Sequence, residues 1–152
     1  METIYVDTSV FGGCFDVEFK EYSNKLLEEF KKGEKIMMIS NLVIKELKTA
    51  RGEIRRQPLK VPFRHLIHTK NSLKAIKLSN KYIAGGALTN SSHADAVHIA
   101  TATMQGANIV ASWNFKHMVN TQRIKLFNTI NTNEGYRTIE IMTPREIINP
   151  SL

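Results

Sequence analysis

The sequence predicts an α/β fold, a mostly parallel sheet with helices on both faces. Three observations carry this expectation. Short apolar runs alternate with longer stretches whose apolar residues recur at helical spacing. Ile36-Met37-Met38-Ile39 is continuously apolar, as a strand buried on both faces must be. Gly33, the pair Gly85-Gly86 and Gly106 stand where helical stretches must stop. The 152 residues fit one domain, residues 1–152, without repeats or low-complexity tracts.

The elements follow in order. Residues 4–6, Ile-Tyr-Val, read as the first strand, followed by a polar turn at Thr8-Ser9 and a break at Gly12-Gly13. Residues 18–32 place Phe19, Tyr22, Leu26, Leu27 and Phe30 on one helical face. Residues 36–39 form the second strand, and Ser40 or Asn41 can cap a helix from Leu42 to about Ala50. Residues 51–60, basic and broken by Gly52 and Pro58, read as an exposed loop or short helical arm. Helices are expected at 71–84, 93–105 and 119–130, and strands at 108–112 and 138–142. Pro144 suits the first position of a short terminal helix.

Composition narrows the partners. Lys and Arg number 21 against 14 Asp and Glu, a formal net charge of +7. Such an excess favours a polyanion, nucleic acid first. The single cysteine, Cys14, excludes an intrachain disulfide and a Cys-rich zinc site, and reads as a small buried residue. No apolar run approaches a membrane span, and the acidic start Met1-Glu2-Thr3 is unlike a secretory leader. The expected location is the reducing cytoplasm, with no membrane partner.

Three acids stand at element junctions. Asp7 closes the first strand, Glu46 lies beside the apolar stripe of its helix, and Asp95 opens the helix at 93–105. Parallel sheets collect ligands outside the carboxyl ends of their strands, and Asp7 and Asn114 both fall there. Carboxylates so gathered suit Mg²⁺ or Mn²⁺, which want oxygen ligands. Each acid also has a structural explanation. Asp7 can cap its turn, Asp95 can form a capping pattern with Ser92, and Glu46 can be a solvated helix acid.

The words around these acids carry more. Val6-Asp7-Thr8-Ser9-Val10, Ile44-Lys45-Glu46-Leu47, Ala94-Asp95-Ala96-Val97-His98-Ile99-Ala100 and Ser112-Trp113-Asn114-Phe115-Lys116-His117 occur in that order. Together they resemble the PIN-domain family and, within it, the VapC-like toxins. The resemblance runs from about Ile4 to Met142. It implies a Rossmann-like three-layer α/β/α sandwich with four to five strands, and Mg²⁺ or Mn²⁺ at clustered carboxylates. It further implies endonuclease cleavage of RNA, a homodimer and neutralisation by a small antitoxin. Asp7, Glu46 and Asp95 match the first three family acids and are expected to hold the metal. Asn114 stands where a fourth acid is common, so the site loses a negative charge. One tightly held metal is therefore expected, with a second recruited alongside the substrate phosphate. Asn114 can act through water or bridge its loop. Ser9 is expected to hydrogen-bond Asp7 or a metal-bound water and, with Arg51, Arg55, Lys116 and His117, to meet the substrate. His98 reads as a packed core residue or a phosphate contact, and Trp113 as packing at a strand end. The departure at Asn114 also admits a weak or inactive module that only binds RNA or an antitoxin.

Overall fold

The computed structural model describes residues 1–150. Its strands are β1 (Thr3–Val6), β2 (Ile36–Ser40), β3 (Leu66–Thr69), β4 (Ile109–Ala111) and β5 (Glu140–Met142). They form one sheet in the order β3-β2-β1-β4-β5, and every pairing is parallel. The helices are α1 (Thr8–Gly13), α2 (Lys20–Lys32), α3 (Asn41–Leu47), α4 (Gly52–Arg55), α5 (Leu73–Ala84), α6 (His93–Met104), α7 (Thr121–Asn133) and α8 (Pro144–Ile148). α2 packs on α1 and α8, while α5 packs on α6 and α7. Right-handed crossovers put these two groups on opposite faces, which gives the three-layer sandwich. The core is the sheet's own apolar residues, Ile4, Val6, Met37, Ile39 and Val110 among them, closed by Leu26, Phe30, Leu78 and Ile99 from the helices.

Two local features differ from the sequence expectation. Thr8–Gly13 is a helix rather than a turn and a break. Six residues with two glycines have little helical propensity alone, but Val10 and Phe11 are fully buried and supply the tertiary reason. Gly13 is there for space: a Cβ would lie 2.6 Å from Ser23 Oγ and 2.7 Å from Trp113 Nε1. β3 lies between residues 60 and 71, where the sequence suggested no element. It is an edge strand with two exposed residues and no continuous apolar run, so its sequence signal is weak. The basic stretch after α3 takes the helical one of its two expected forms: α4 leans on α1 and is followed by a 3₁₀ turn at Gln57–Lys60.

β1 and β4 are neighbours, yet the chain leaves β1 toward β2 and leaves β4 toward β5. Their carboxyl ends therefore flank a crevice at which the strand order reverses. The Asp7 amide donates to the Ala111 carbonyl at 3.0 Å, which ties the two strand ends together.

Candidate functional site

Asp7 is the residue after β1 and is 6% exposed. Its backbone begins α1, yet its side chain makes no capping bond. Instead Oδ2 accepts from Ser9 Oγ and from Ser112 Oγ, both at 2.8 Å. Ser112 Oγ also accepts the Asn114 amide at 2.9 Å, and Ser9 Oγ accepts the Trp113 amide at 3.0 Å. Two hydroxyls thus fasten the end of β1 to the loop after β4, with the carboxylate between them.

Glu46 reaches the crevice from α3, next to β2. Its Oε1 accepts from Thr8 Oγ1 at 2.5 Å and pairs with His98 Nε2 at 2.8 Å. It is therefore not a freely solvated helix acid. Burial, the largest influence on Glu46, would raise its carboxyl. The bonds from His98 and Thr8 and the imidazole charge outweigh burial and hold it below the usual range.

His98 is 1% exposed and lies on α6. Its Nδ1 meets Tyr5 Oη at 2.7 Å, and Tyr5 Oη meets Ser40 Oγ at 2.7 Å. Its Nε2 also stands 3.6 Å from Asp7 Oδ1. A buried chain therefore runs Ser40–Tyr5–His98–Glu46–Thr8. Burial, the largest influence on His98, would lower its pKa. The Glu46 hydrogen bond and the charges of Asp7, Glu46 and Asp95 reverse that, and the imidazole is raised above its ordinary value.

Asp95 sits in the first turn of α6, and Ser92 makes no side-chain cap there, so no capping pattern forms. Its Oδ2 faces His117 Nδ1 at 3.2 Å and Asn114 Nδ2 at 3.4 Å. Burial first, then the charge of Asp7, pushes the Asp95 carboxyl up, although His98 and His117 pull the other way. Asn114 Oδ1 accepts the His117 amide at 3.0 Å, so the side chain both bridges its loop and touches Asp95.

One ligand atom each from Asp7, Glu46 and His98 lies within 4.8 Å of the others. Asp95 stands outside that group and joins it through charge. The donor set suits a hard divalent cation. It offers carboxylate oxygens, and Asp95 is raised by burial and then by the charge of Asp7, both of which a bound cation would offset. His98 is poorly placed as a ligand, because both ring nitrogens already have partners. Its role is to hold Glu46.

Of the remaining expected residues, Ser9 and His117 touch the acids, and Arg51 and Arg55 bond elsewhere. Ser9 touches Asp7 as anticipated. Arg51 pairs with Glu53 at 3.0 Å and lies over the Phe15 ring, and Arg55 donates to the Ala50 carbonyl at 3.2 Å. Lys116 is exposed beside Asn114. Trp113 packs at its strand end, stacked on Phe19. Ser112 and Tyr5 had no site role in the sequence reading, and Ser40, expected as a helix cap, makes no side-chain capping bond and meets Tyr5 instead. The only signal for Tyr5 is parity: two residues before Asp7 in an extended strand, it shares a sheet face with it.

Three solved structures resemble this fold. VapC20 of Mycobacterium tuberculosis, a toxin that cleaves the sarcin–ricin loop, aligns with a TM-score of 0.51 at 18% identity, over 70% of this chain and 86% of that one. VapBC2 of Rickettsia felis, bound to a DNA fragment from its promoter, aligns with a TM-score of 0.57 at 13% identity, over 93% and 98%. The fold is that of a VapC-type PIN domain. FitAB, bound to an IR36 DNA fragment, adds a third such match, with a TM-score of 0.58 at 13% identity, over 93% and 94%. No family sequence model matches the chain, and no curated protein matches its sequence. At the crevice between β1 and β4, Asp7, Glu46 and His98 come together, and Asp95 contacts Asn114 and His117. No helix among the described residues is long and apolar enough to cross a membrane.

Proposed function

We propose that this chain is an Mg²⁺- or Mn²⁺-dependent endoribonuclease, the cytoplasmic toxin of a toxin–antitoxin pair. The observation that carries the reading is the acid cluster at the strand-order switch of a VapC-type fold, with Asp7 and Glu46 held by dedicated donors. Asp7 and Asp95 would hold the ion, with Glu46 as a further ligand or an orienter of water. When bound, such an ion activates water and stabilises charge on a phosphodiester. The protein's share is positioning. Ser9 and Ser112 fix Asp7, and His98 and Thr8 fix Glu46. Asn114 steadies the loop and Asp95. Arg51, Arg55, Lys116 and His117 supply cationic or donor groups for the RNA backbone, an interaction that weakens steeply with salt. A homodimer and a small antitoxin partner belong to the same reading, supported by the family resemblance and by the likeness to VapC20, a toxin.

The test is Asp7→Asn, which keeps the serine bonds and removes one charge. RNA cleavage in Mn²⁺ should fall at least a hundredfold while the urea midpoint stays near the parent's. Undiminished cleavage would sink the mechanism. A second reading has its own observation, the neutral Asn114 facing Asp95. On that reading the chain binds RNA or an antitoxin without cutting, and calorimetry with Mn²⁺ separates the two: a silent titration with no cleavage favours the binding module.

A further inference from the structure

A cleft of about 700 Å³ lies between α2, the loop after β4 and α8, and its wall residue Trp113 is linked to Asp7 through Ser9. One wall is an aromatic stack. Phe19 lies on Trp113 with ring centroids 4.3 Å apart and planes 21° from parallel, and Phe115 leans on both at 6.3 Å. The stack is fixed from behind. Trp113 Nε1 donates to Ser23 Oγ at 2.8 Å, and its amide donates to Ser9 Oγ, the same hydroxyl that binds Asp7. Phe115 alone extends outward, 52% exposed, directly after Asn114.

We propose that Phe115 is the stacking platform for one nucleobase of single-stranded RNA, seated beside the acid cluster. The proposal rests on the nuclease reading and names a substrate subsite for it. An aromatic face accepts any base, so the contact gives affinity and position rather than sequence readout. The rigid support matters, because a ring already ordered by Trp113 and Phe19 loses little freedom on binding. Exposed Lys116 follows Phe115 and is placed for a phosphate next to the stacked base. A second ring-and-cation pair stands just beyond α1, where the Arg51 guanidinium lies 5.9 Å from the centroid of half-exposed Phe15. Aromatics interleaved with cations are how proteins track a single strand.

The deeper cleft carries Glu18, Glu21 and Glu146 against Arg145. Glu146 is tied to Thr143 and Glu21 to Lys25, so part of this charge is already engaged. The remaining negative potential repels phosphates. It keeps the backbone outside, over Lys116, and admits the flat uncharged part of the nucleotide.

The experiment uses a short single-stranded RNA with one 2-aminopurine, whose emission is quenched on stacking, titrated into the full-length Asp7→Asn protein so that nothing is cut. Saturable quenching is expected. Phe115→Ala should weaken binding about tenfold, which is about 1.4 kcal/mol, and abolish the quench, whereas Phe115→Tyr should keep both. An abasic residue at the probe position should weaken binding to the parent and make no difference to Phe115→Ala. Unquenched emission from an RNA that anisotropy shows to be bound would overturn the proposal. So would equal affinity of Phe115→Ala. Tight binding of an arginine-rich peptide that Glu18→Gln abolishes, with no quenching by RNA, would assign the cleft to a basic partner instead. Quenching without cleavage by the parent would leave this subsite standing and remove the nuclease. Cleavage without quenching would do the reverse.

Discussion

Tyr5→Phe isolates the buried chain behind the candidate site. The phenol is fully buried, and its oxygen lies 2.7 Å from both Ser40 Oγ and His98 Nδ1. Removing one oxygen leaves the ring's packing intact, so no cavity term of consequence arises. Ser40 Oγ and His98 Nδ1 each lose the partner shown here, in a place water does not reach. An orphaned buried polar group costs about 1–3 kcal/mol, so two of them should destabilise by about 2–6 kcal/mol in total. That is a large share of the 5–15 kcal/mol typical of a domain, yet it should leave a folded protein. Ser40→Ala in the Tyr5→Phe background removes one of the orphans and should restore about 1–3 kcal/mol. Ser40→Ala alone leaves the phenol bonded to His98 and should cost only about 1 kcal/mol. The assay is urea unfolding in EDTA, followed by fluorescence of the single tryptophan, Trp113. EDTA keeps metal linkage out of the comparison. A Tyr5→Phe midpoint matching the parent's, or the same loss with Ser40 present and absent, would refute the reasoning.

Other outcomes follow from the same geometry. Asn114→Asp puts a second charge beside Asp95, now 3.4 Å from the amide nitrogen. It should lower metal-free stability by about 1–4 kcal/mol and tighten Mn²⁺ binding by calorimetry, and weaker Mn²⁺ binding would contradict the site. The raised imidazole of His98 fixes a sign for pH. A group raised on folding contributes stability that is fully present below its unfolded value, 6.5 here, and is lost as pH rises through the folded value. Urea midpoints in EDTA should therefore fall from pH 6.5 upward, and His98→Gln should flatten that fall. Glu46, held low, acts in the opposite sense, losing its contribution as pH drops through the acid range. Gly33 ends α2 at φ +79, and a Cβ there would lie 2.7 Å from His65 Nε2. Gly33→Ala should cost at least about 1–2 kcal/mol, read as a lower melting temperature; an unchanged one would mean the helix end relaxes freely.

Much of the architecture was legible in the chain. Ile36-Met37-Met38-Ile39 can satisfy its apolar side chains only between two helical layers, and it is the second strand of an all-parallel sheet. Phe19 to Phe30 marks α2 by spacing alone, and Gly33 marks its end. α1 and β3 were illegible for a common reason: each is short, and neighbours rather than local propensity hold it. Asp7, Glu46 and Asp95 could be named from the words around them, because strand ends and helix starts on a parallel sheet share one edge.

What the sequence determined by itself is the repeating order of strand and helix and the chemistry at each junction, since burial periodicity and turn residues are local properties. Only the tertiary structure decided which partners those junctions meet. His98 reads as one imidazole among apolar neighbours, yet it bridges Tyr5 from β1 and Glu46 from α3. The capping roles open to Asp7 and Asp95 went unused because Ser9, Ser112, Asn114 and His117 reach them first. These contacts join residues up to 105 positions apart. They follow from the order in which strands pair, a non-local choice that no window of sequence contains.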